Sequence, residues 1–101
     1  MKFITFSMFD VAKMAEVVQA SDKVANTRGQ KILSKYTCLG KPFDGVPLNA
    51  MVVITTHEAE SSEAMATYAY PLMLAGATIW GVPVMEIPMA GSAALEKKLR
   101  K

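Results

Sequence analysis

In the first half of the chain, a continuous run of apolar residues is followed by apolar residues at helical spacing. Residues 2–7 form an apolar, β-prone run, which predicts a central strand with both faces buried. A helix follows, because mostly apolar residues then recur at spacings of three and four: Val11, Met14, Ala15, Val18, Ser21 and Ala25. Residues 31–39 and 49–57 predict a second and a third strand, joined by a long loop that contains two glycines and two prolines.

The second half of the chain predicts one more helix and one more strand. Ser61 suits a helix N-cap, and Glu63 lies in the acidic first turn. This helix runs to Leu74, and Pro71 is expected to kink it or restart it because proline lacks a backbone N–H. The last strand covers about residues 78–87, and Pro83 predicts an edge position or a bulge there. Residues 91–101 are expected to form a basic tail or a short helix.

The order of these elements predicts an α+β fold of the ferredoxin-like βαββαβ type over residues 1–90. Right-handed crossovers place both helices on one face of a four-stranded antiparallel sheet with strand order 4-1-3-2. The sequence predicts no third helix for the other face, so that face needs a different cover. The hydrophobic fraction of 51% is slightly high, which favours an apolar interface.

The long hairpin predicts a register in which Leu39 pairs with Asn49 and Lys31 lies near His57. One face then carries Ile32, Ser34, Tyr36, Cys38, Ala50, Val52, Ile54 and Thr56. The other carries Leu33, Lys35, Thr37, Leu39, Asn49, Met51, Val53, Thr55 and His57. We expect the first, more apolar set to face the helices, and the second to line a partly covered surface or a cavity between subunits. A slip of one residue would exchange the two faces.

The composition and charge of the chain restrict what the protein is expected to bind and where in the cell it is expected to be. The net charge of +2 and the scattered basic residues do not indicate nucleic acid binding. The single cysteine, Cys38, allows no intramolecular disulfide, and with no signal peptide recognised we expect a cytoplasmic protein. The longest apolar stretch, residues 64–85, is interrupted by two glycines and two prolines, so no membrane helix is expected.

The chain resembles the dimeric α+β barrel superfamily over about residues 2–88. The resemblance rests on the first strand entering a helix at Phe9-Asp10, on the strand-loop-strand centre, and on the ending Val82-Pro83-Val84-Met85, which is similar to small prokaryotic domains of unknown function. It implies a homodimer or higher homo-oligomer in which two sheets pack face to face. Members include cofactor-independent monooxygenases, haem-degrading enzymes, stress-response domains and sensor modules, and the fold does not choose among them.

His57 is the only histidine and the first candidate for a catalytic role. It ends the third strand, where it would act as a base near neutral pH or be a solvent-exposed residue before the helix. Cys38 lies at the other end of the paired strands, too far away to share a metal ion with it. We therefore expect no metal site and no cofactor. The haem-degrading relatives use a histidine on a helix, a position that His57 does not match.

These patterns favour a binding or regulatory module that takes a small apolar or amphipathic ligand at the sheet face. The expected ligand-binding residues are Lys35, Thr37, Asn49, Met51, Thr55, Tyr68, Tyr70 and Trp80. A cofactor-independent monooxygenase or isomerase, with His57 or a tyrosine assisting proton removal, is the alternative. A structural oligomer without a ligand is the third hypothesis.

Overall fold

The computed structural model describes residues 1–100 and shows one antiparallel sheet with two helices packed on one of its faces. The elements are β1 Lys2–Asp10, a 3-10 turn Val11–Lys13, α1 Met14–Val24, β2 Gln30–Thr37, β3 Ala50–Ala59, α2 Ser62–Leu74, β4 Thr78–Val84 and α3 Ser92–Arg100. The strand order is β2-β3-β1-β4, so the predicted ferredoxin-like topology is confirmed. Pro83 lies on the edge strand β4. Because no further strand pairs with the outer side of β4, a residue without a backbone N–H is tolerated there.

A polar side chain caps the first turn of the helical segment that follows β1 and of the one that follows β3. The Asp10 carboxylate accepts a hydrogen bond of 2.8 Å from the Ala12 backbone N–H, and Ser61 Oγ accepts one of 3.2 Å from Ala64. The predicted restart of the second helix at Pro71 is wrong, because α2 continues through this residue to Leu74. Gly76 then ends α2 at φ +115°, a conformation that side chains other than glycine rarely adopt.

The register between β2 and β3 differs from the prediction along the whole hairpin. Lys31 pairs with Glu58 rather than with His57, and the pairing changes again at a bulge between Ile32 and Ser34. Beyond the bulge Lys35 pairs with Thr55, two residues from the predicted partner. The bulge inserts one unpaired residue and accounts for the change in this offset along the strand, whereas the offset nearer the loop reflects a different pairing of the hairpin itself.

The two faces of β3, and of β2 after the bulge, are reversed relative to the prediction, whereas Ile32 before the bulge packs against the core as predicted. The inner face, which we define as the one beneath α1 and α2, carries the buried residues Phe3, Thr5, Ser7, Phe9, Thr55, His57 and Ala59 together with Met51 and Val53. The open face carries Ile4, Phe6, Met8, Val52, Ile54, Trp80, Val82 and Val84. Residues directly opposite each other share a face, so pairing with central β1 fixes the orientation of β3. The more polar set is therefore the buried one.

The loop between β2 and β3 covers part of the open face. The Phe43 ring meets the Trp80 ring edge to face at 5.9 Å, and Trp80 stacks on Phe6 at 5.5 Å. Val46 of the same loop is buried. Elsewhere on this face Ile4 and Ile54 are partly buried, whereas Tyr36 is 65% and Val82 42% exposed. The loop between β2 and β3 thus covers this face only in part.

The C-terminal segment adds α3 beyond the sheet. It contains no buried residue, and its Leu95 and Leu99 border a shallow groove with Met85 and Ile87. The predicted basic tail corresponds to this helix, and Lys101 lies outside the described residues.

Candidate functional site

His57 is the centre of a buried hydrogen-bond chain on the inner face. The side chain is 0% exposed, so the expected solvent-exposed histidine is wrong. Its Nδ1 lies 2.8 Å from Gln30 Oε1, and its Nε2 lies 2.9 Å from Thr5 Oγ1. The Gln30 amide is oriented by its own bond of 3.1 Å from Nε2 to the Ala25 carbonyl. Since Gln30 therefore presents its oxygen, Nδ1 carries the proton and Nε2 accepts one from the Thr5 hydroxyl.

Burial holds His57 in this neutral form. Desolvation lowers the pKa of His57 from 6.5 to about 4, because the charged imidazolium would lose its water. The Tyr68 ring packs edge to face against the imidazole with 4.6 Å between ring centroids. Both ring nitrogens are engaged inside the protein, and the ring is enclosed. This geometry favours a structural role for His57 over proton transfer, and its catalytic role stays a prediction.

A groove of about 340 Å³ opens beside α2, between this helix and the edge formed by β1 and β4. Its lining is mostly apolar: Met1, Phe3, Thr5, Ser62, Met65, Ala66, Ala69, Ile79, Trp80, Gly81 and Pro83. Two helices cannot cover four strands completely, and the uncovered strip beside β4 becomes this groove. Thr5 lines the groove and is hydrogen-bonded to His57, so the buried hydrogen-bond chain ends at the groove.

A second, smaller cavity of about 60 Å³ lies on the opposite side of α2, towards α1. Its lining combines hydroxyl and ammonium groups with apolar side chains: Ser7, Phe9, Val17, Val18, Ser21, Lys35, Val53, Thr55, Tyr68 and Leu72. The Lys35 ammonium donates a hydrogen bond to Ser21 Oγ. Burial raises the pKa of the Tyr68 phenol, and the neighbouring Thr55 hydroxyl partly opposes that rise. The phenol therefore stays neutral at physiological pH and can donate.

The structure divides the predicted ligand-binding residues among several places. Lys35, Thr55 and Tyr68 meet at the cavity, and Trp80 borders the groove while its ring stacks on the open face. The other four lie elsewhere.

Met51 is part of the packed inner face, Thr37 is exposed on β2, and Tyr70 is 59% exposed on α2. Asn49 is exposed before β3, where its backbone carbonyl accepts a bond of 2.8 Å from Val11. These four do not join the groove or the cavity. The ligand-binding role of the whole set stays a prediction.

Sequence reasoning missed Thr5, Ser7 and Ser21 as site residues. Thr5 and Ser7 lie between Phe3 and Phe9 on the same buried face of β1, and Ser21 interrupts the apolar stripe of α1. A polar residue in a stripe that must be buried was the available signal, since buried hydroxyls need partners.

Residues 1–100 contain neither a cluster of metal-ligating side chains nor a membrane-spanning helix. Within them, no three histidine, cysteine, aspartate or glutamate side chains are grouped so that they could ligate one metal ion. In the same residues, every helix is too short or too polar to cross a lipid bilayer.

Comparison with known proteins identifies the fold and no closer relationship. No family model matches the chain, and no curated protein matches it. Among solved structures it is similar to a DUF3240 family protein from Shewanella baltica OS155, with TM-score 0.50 and 8% identity over 89% of this chain and 97% of that one.

Two further solved structures are similar to this chain. A candidate antibiotic biosynthesis monooxygenase from Deinococcus radiodurans has TM-score 0.50 and 14% identity over 90% of this chain and 100% of its own. The structural genomics protein YjcS has TM-score 0.49 and 10% identity over 83% and 98%. The chain thus has a ferredoxin-like α+β fold, which it shares with the DUF3240 family protein and the candidate monooxygenase.

Proposed function

We propose that this protein binds a small amphipathic ligand in the groove beside α2 and forms a homodimer through its open face. The observation that carries the ligand proposal is the groove itself. Its volume of about 340 Å³ lies at the lower end of the range of small-molecule sites, roughly 300–1,000 Å³. Apolar walls with a few polar groups, here the hydroxyls of Thr5 and Ser62, are the usual composition of such sites.

Thr5 gives the groove a preference for one kind of ligand group. Its hydroxyl proton is directed at His57 Nε2, so the oxygen offers only lone pairs to the groove. A ligand hydroxyl or N–H group would donate to this oxygen, whereas an ether or a carbonyl would find no donor there. The ligand class that fits is therefore an apolar body with one donor, such as an alkylphenol.

The dimer proposal rests on the open face. Tyr36, Trp80, Val82 and Val84 are all more than one third exposed on a single face of the sheet. Exposed apolar side chains that share one face of a sheet are typical of an interface. A second copy of this chain would supply the cover that the loop around Phe43 provides only in part.

The two alternative functions receive less support. An oxygenase or isomerase that uses His57 needs a free ring nitrogen facing substrate, and both are engaged in the buried chain. A purely structural oligomer would leave the groove and the cavity beside α2 without a role. A cytoplasmic location remains our proposal, supported by the unpaired Cys38.

Filling the groove tests the ligand proposal. Ala66 lines the groove from an exposed position on α2, so Ala66→Phe should occupy it without disturbing the core. We expect the heat of 4-butylphenol binding, measured by isothermal titration calorimetry, to disappear in this variant. The adjacent Thr67 is exposed and does not line the groove, and Thr67→Phe serves as the matched control with unchanged binding. Equal binding by both variants, or none by the wild type, would refute the proposal.

A further inference from the structure

Ser7 presents an unsatisfied polar group inside the protein. The residue is only 7% exposed and lines the cavity between α1 and α2. Its Oγ has no hydrogen-bond partner among residues 1–100. Such a group costs about 1–3 kcal/mol when nothing satisfies it, so native interiors seldom retain one without a reason.

The polar groups around this hydroxyl can all donate hydrogen bonds, and one of them is positively charged. Ser7, Ser21, Thr55 and Tyr68 all bring hydroxyls that can donate, and Lys35 brings a positive charge. The cavity lining contains no aspartate or glutamate. A site with several donors, one cation and no carboxylate of its own is complementary to an anion.

The volume of the cavity and its apolar walls restrict which anion can fit. About 60 Å³ holds roughly four groups of water size at ~10–15 Å³ each. Phe9, Val17, Val53 and Leu72 line the rest of the space with apolar surface, which would not solvate a phosphate on all sides. Two oxygens beside a short carbon chain fit both halves of this lining.

We propose that the cavity binds a carboxylate group, with Lys35 as the countercharge and Ser7 as a hydrogen-bond donor. The Lys35 ammonium already contacts Ser21 Oγ, which places the charge at the cavity rather than free in solvent. Lys35 and the half-exposed Val18 lie at the solvent side, so the carboxylate can belong to a short free acid or to the end of a longer one. This site is on the other side of α2 from the groove and does not depend on it.

Titration of the ¹⁵N-labelled protein with sodium acetate, followed by two-dimensional NMR, tests the site. We expect saturable shifts at the amides of Ser7, Ser21 and Thr55 that sodium chloride of equal ionic strength does not reproduce. Sodium hexanoate is the second probe: tighter binding than acetate identifies a longer acid as the source, and equal binding a short free acid. Shifts that follow ionic strength alone, or no saturation with either acid, would overturn the proposal.

Two variants and a matched control assign the interaction. Lys35→Met should weaken acetate binding about tenfold or more, because a charged donor is lost. Lys31→Met removes a lysine from the same strand that does not line the cavity, and binding should stay within twofold. Ser7→Ala removes a hydroxyl without a protein partner, so the fold should persist while binding weakens. Unchanged affinity in both Lys35→Met and Ser7→Ala would contradict the proposal, whereas Ala66→Phe in the groove should leave acetate binding intact.

Discussion

On the inner face of the sheet, Thr5, Ser7 and Thr55 lie buried beneath two helices, whereas the open face presents Phe6 and Val82 among other apolar residues. A sheet built for stability alone would place the apolar set inside. The buried polar set instead holds His57 and borders two voids, which are features of a binding site. The apolar set on the uncovered side is typical of an interface. The difference separates ligand contacts from assembly contacts within a single sheet.

Truncation of His57 should produce the largest loss of stability on the inner face. His57→Ala removes two buried hydrogen bonds and the ring packed against Tyr68, and it leaves Thr5 and Gln30 without their partner. We expect the free energy of unfolding in urea to fall by about 3–4 kcal/mol. Thr56→Ala, the adjacent change on the open face, should cost about 1 kcal/mol or less. Equal losses would remove the distinction between the faces.

Acid should destabilise the protein through the same residue. In the unfolded chain the His57 pKa is 6.5, and folding lowers this pKa to about 4. As the pH falls, the unfolded state binds a proton at His57 before the folded state does. The contribution of His57 to the free energy of unfolding is therefore complete above pH 6.5 and declines as the pH falls towards 4, by at most about 3 kcal/mol. The difference in unfolding free energy between wild type and His57→Gln, measured at pH 7.5 and 4.5, isolates this effect from the carboxylates. A difference that does not change with pH would contradict a buried neutral histidine.

A charge on the open face should break assembly rather than folding. Val82→Asp places an unpaired carboxylate in the proposed dimer interface and should weaken self-association about 30-fold, which corresponds to about 2 kcal/mol. Sedimentation equilibrium at micromolar concentration measures this constant. Gln19→Asp introduces the same charge on the exposed side of α1 and should leave association unchanged. A wild type that is monomeric at these concentrations would refute the dimer.

The sequence was sufficient for the topology and insufficient for the faces. Helical spacing, the Ser61 cap and the position of Pro83 predicted the elements and the edge strand, because these depend on local chemistry. The face assignment failed because it ranked the two sides of β2 and β3 by polarity. Ser7 and Thr55 are buried despite their polarity.

The candidate site was therefore only partly predictable. Lys35, Thr55 and Tyr68 were identified and do meet at the cavity, but the bulge after Ile32 and the opposing hydroxyls of Thr5 and Ser7 depend on tertiary packing. Pocket residues that come from separate elements cannot be grouped without the register, and a two-residue shift moves Lys35 from one partner to another.

Comparison of 4-butylphenol with its methyl ether, 4-butylanisole, tests most directly whether the inner face is a ligand site. The two molecules share an apolar body, and only the phenol can donate a hydrogen bond to the Thr5 oxygen, whose own proton is directed at His57. Titration calorimetry on the wild type should show the phenol binding about tenfold more tightly than the ether, as expected for one buried hydrogen bond. Equal affinities, or no binding of the phenol, would contradict the account.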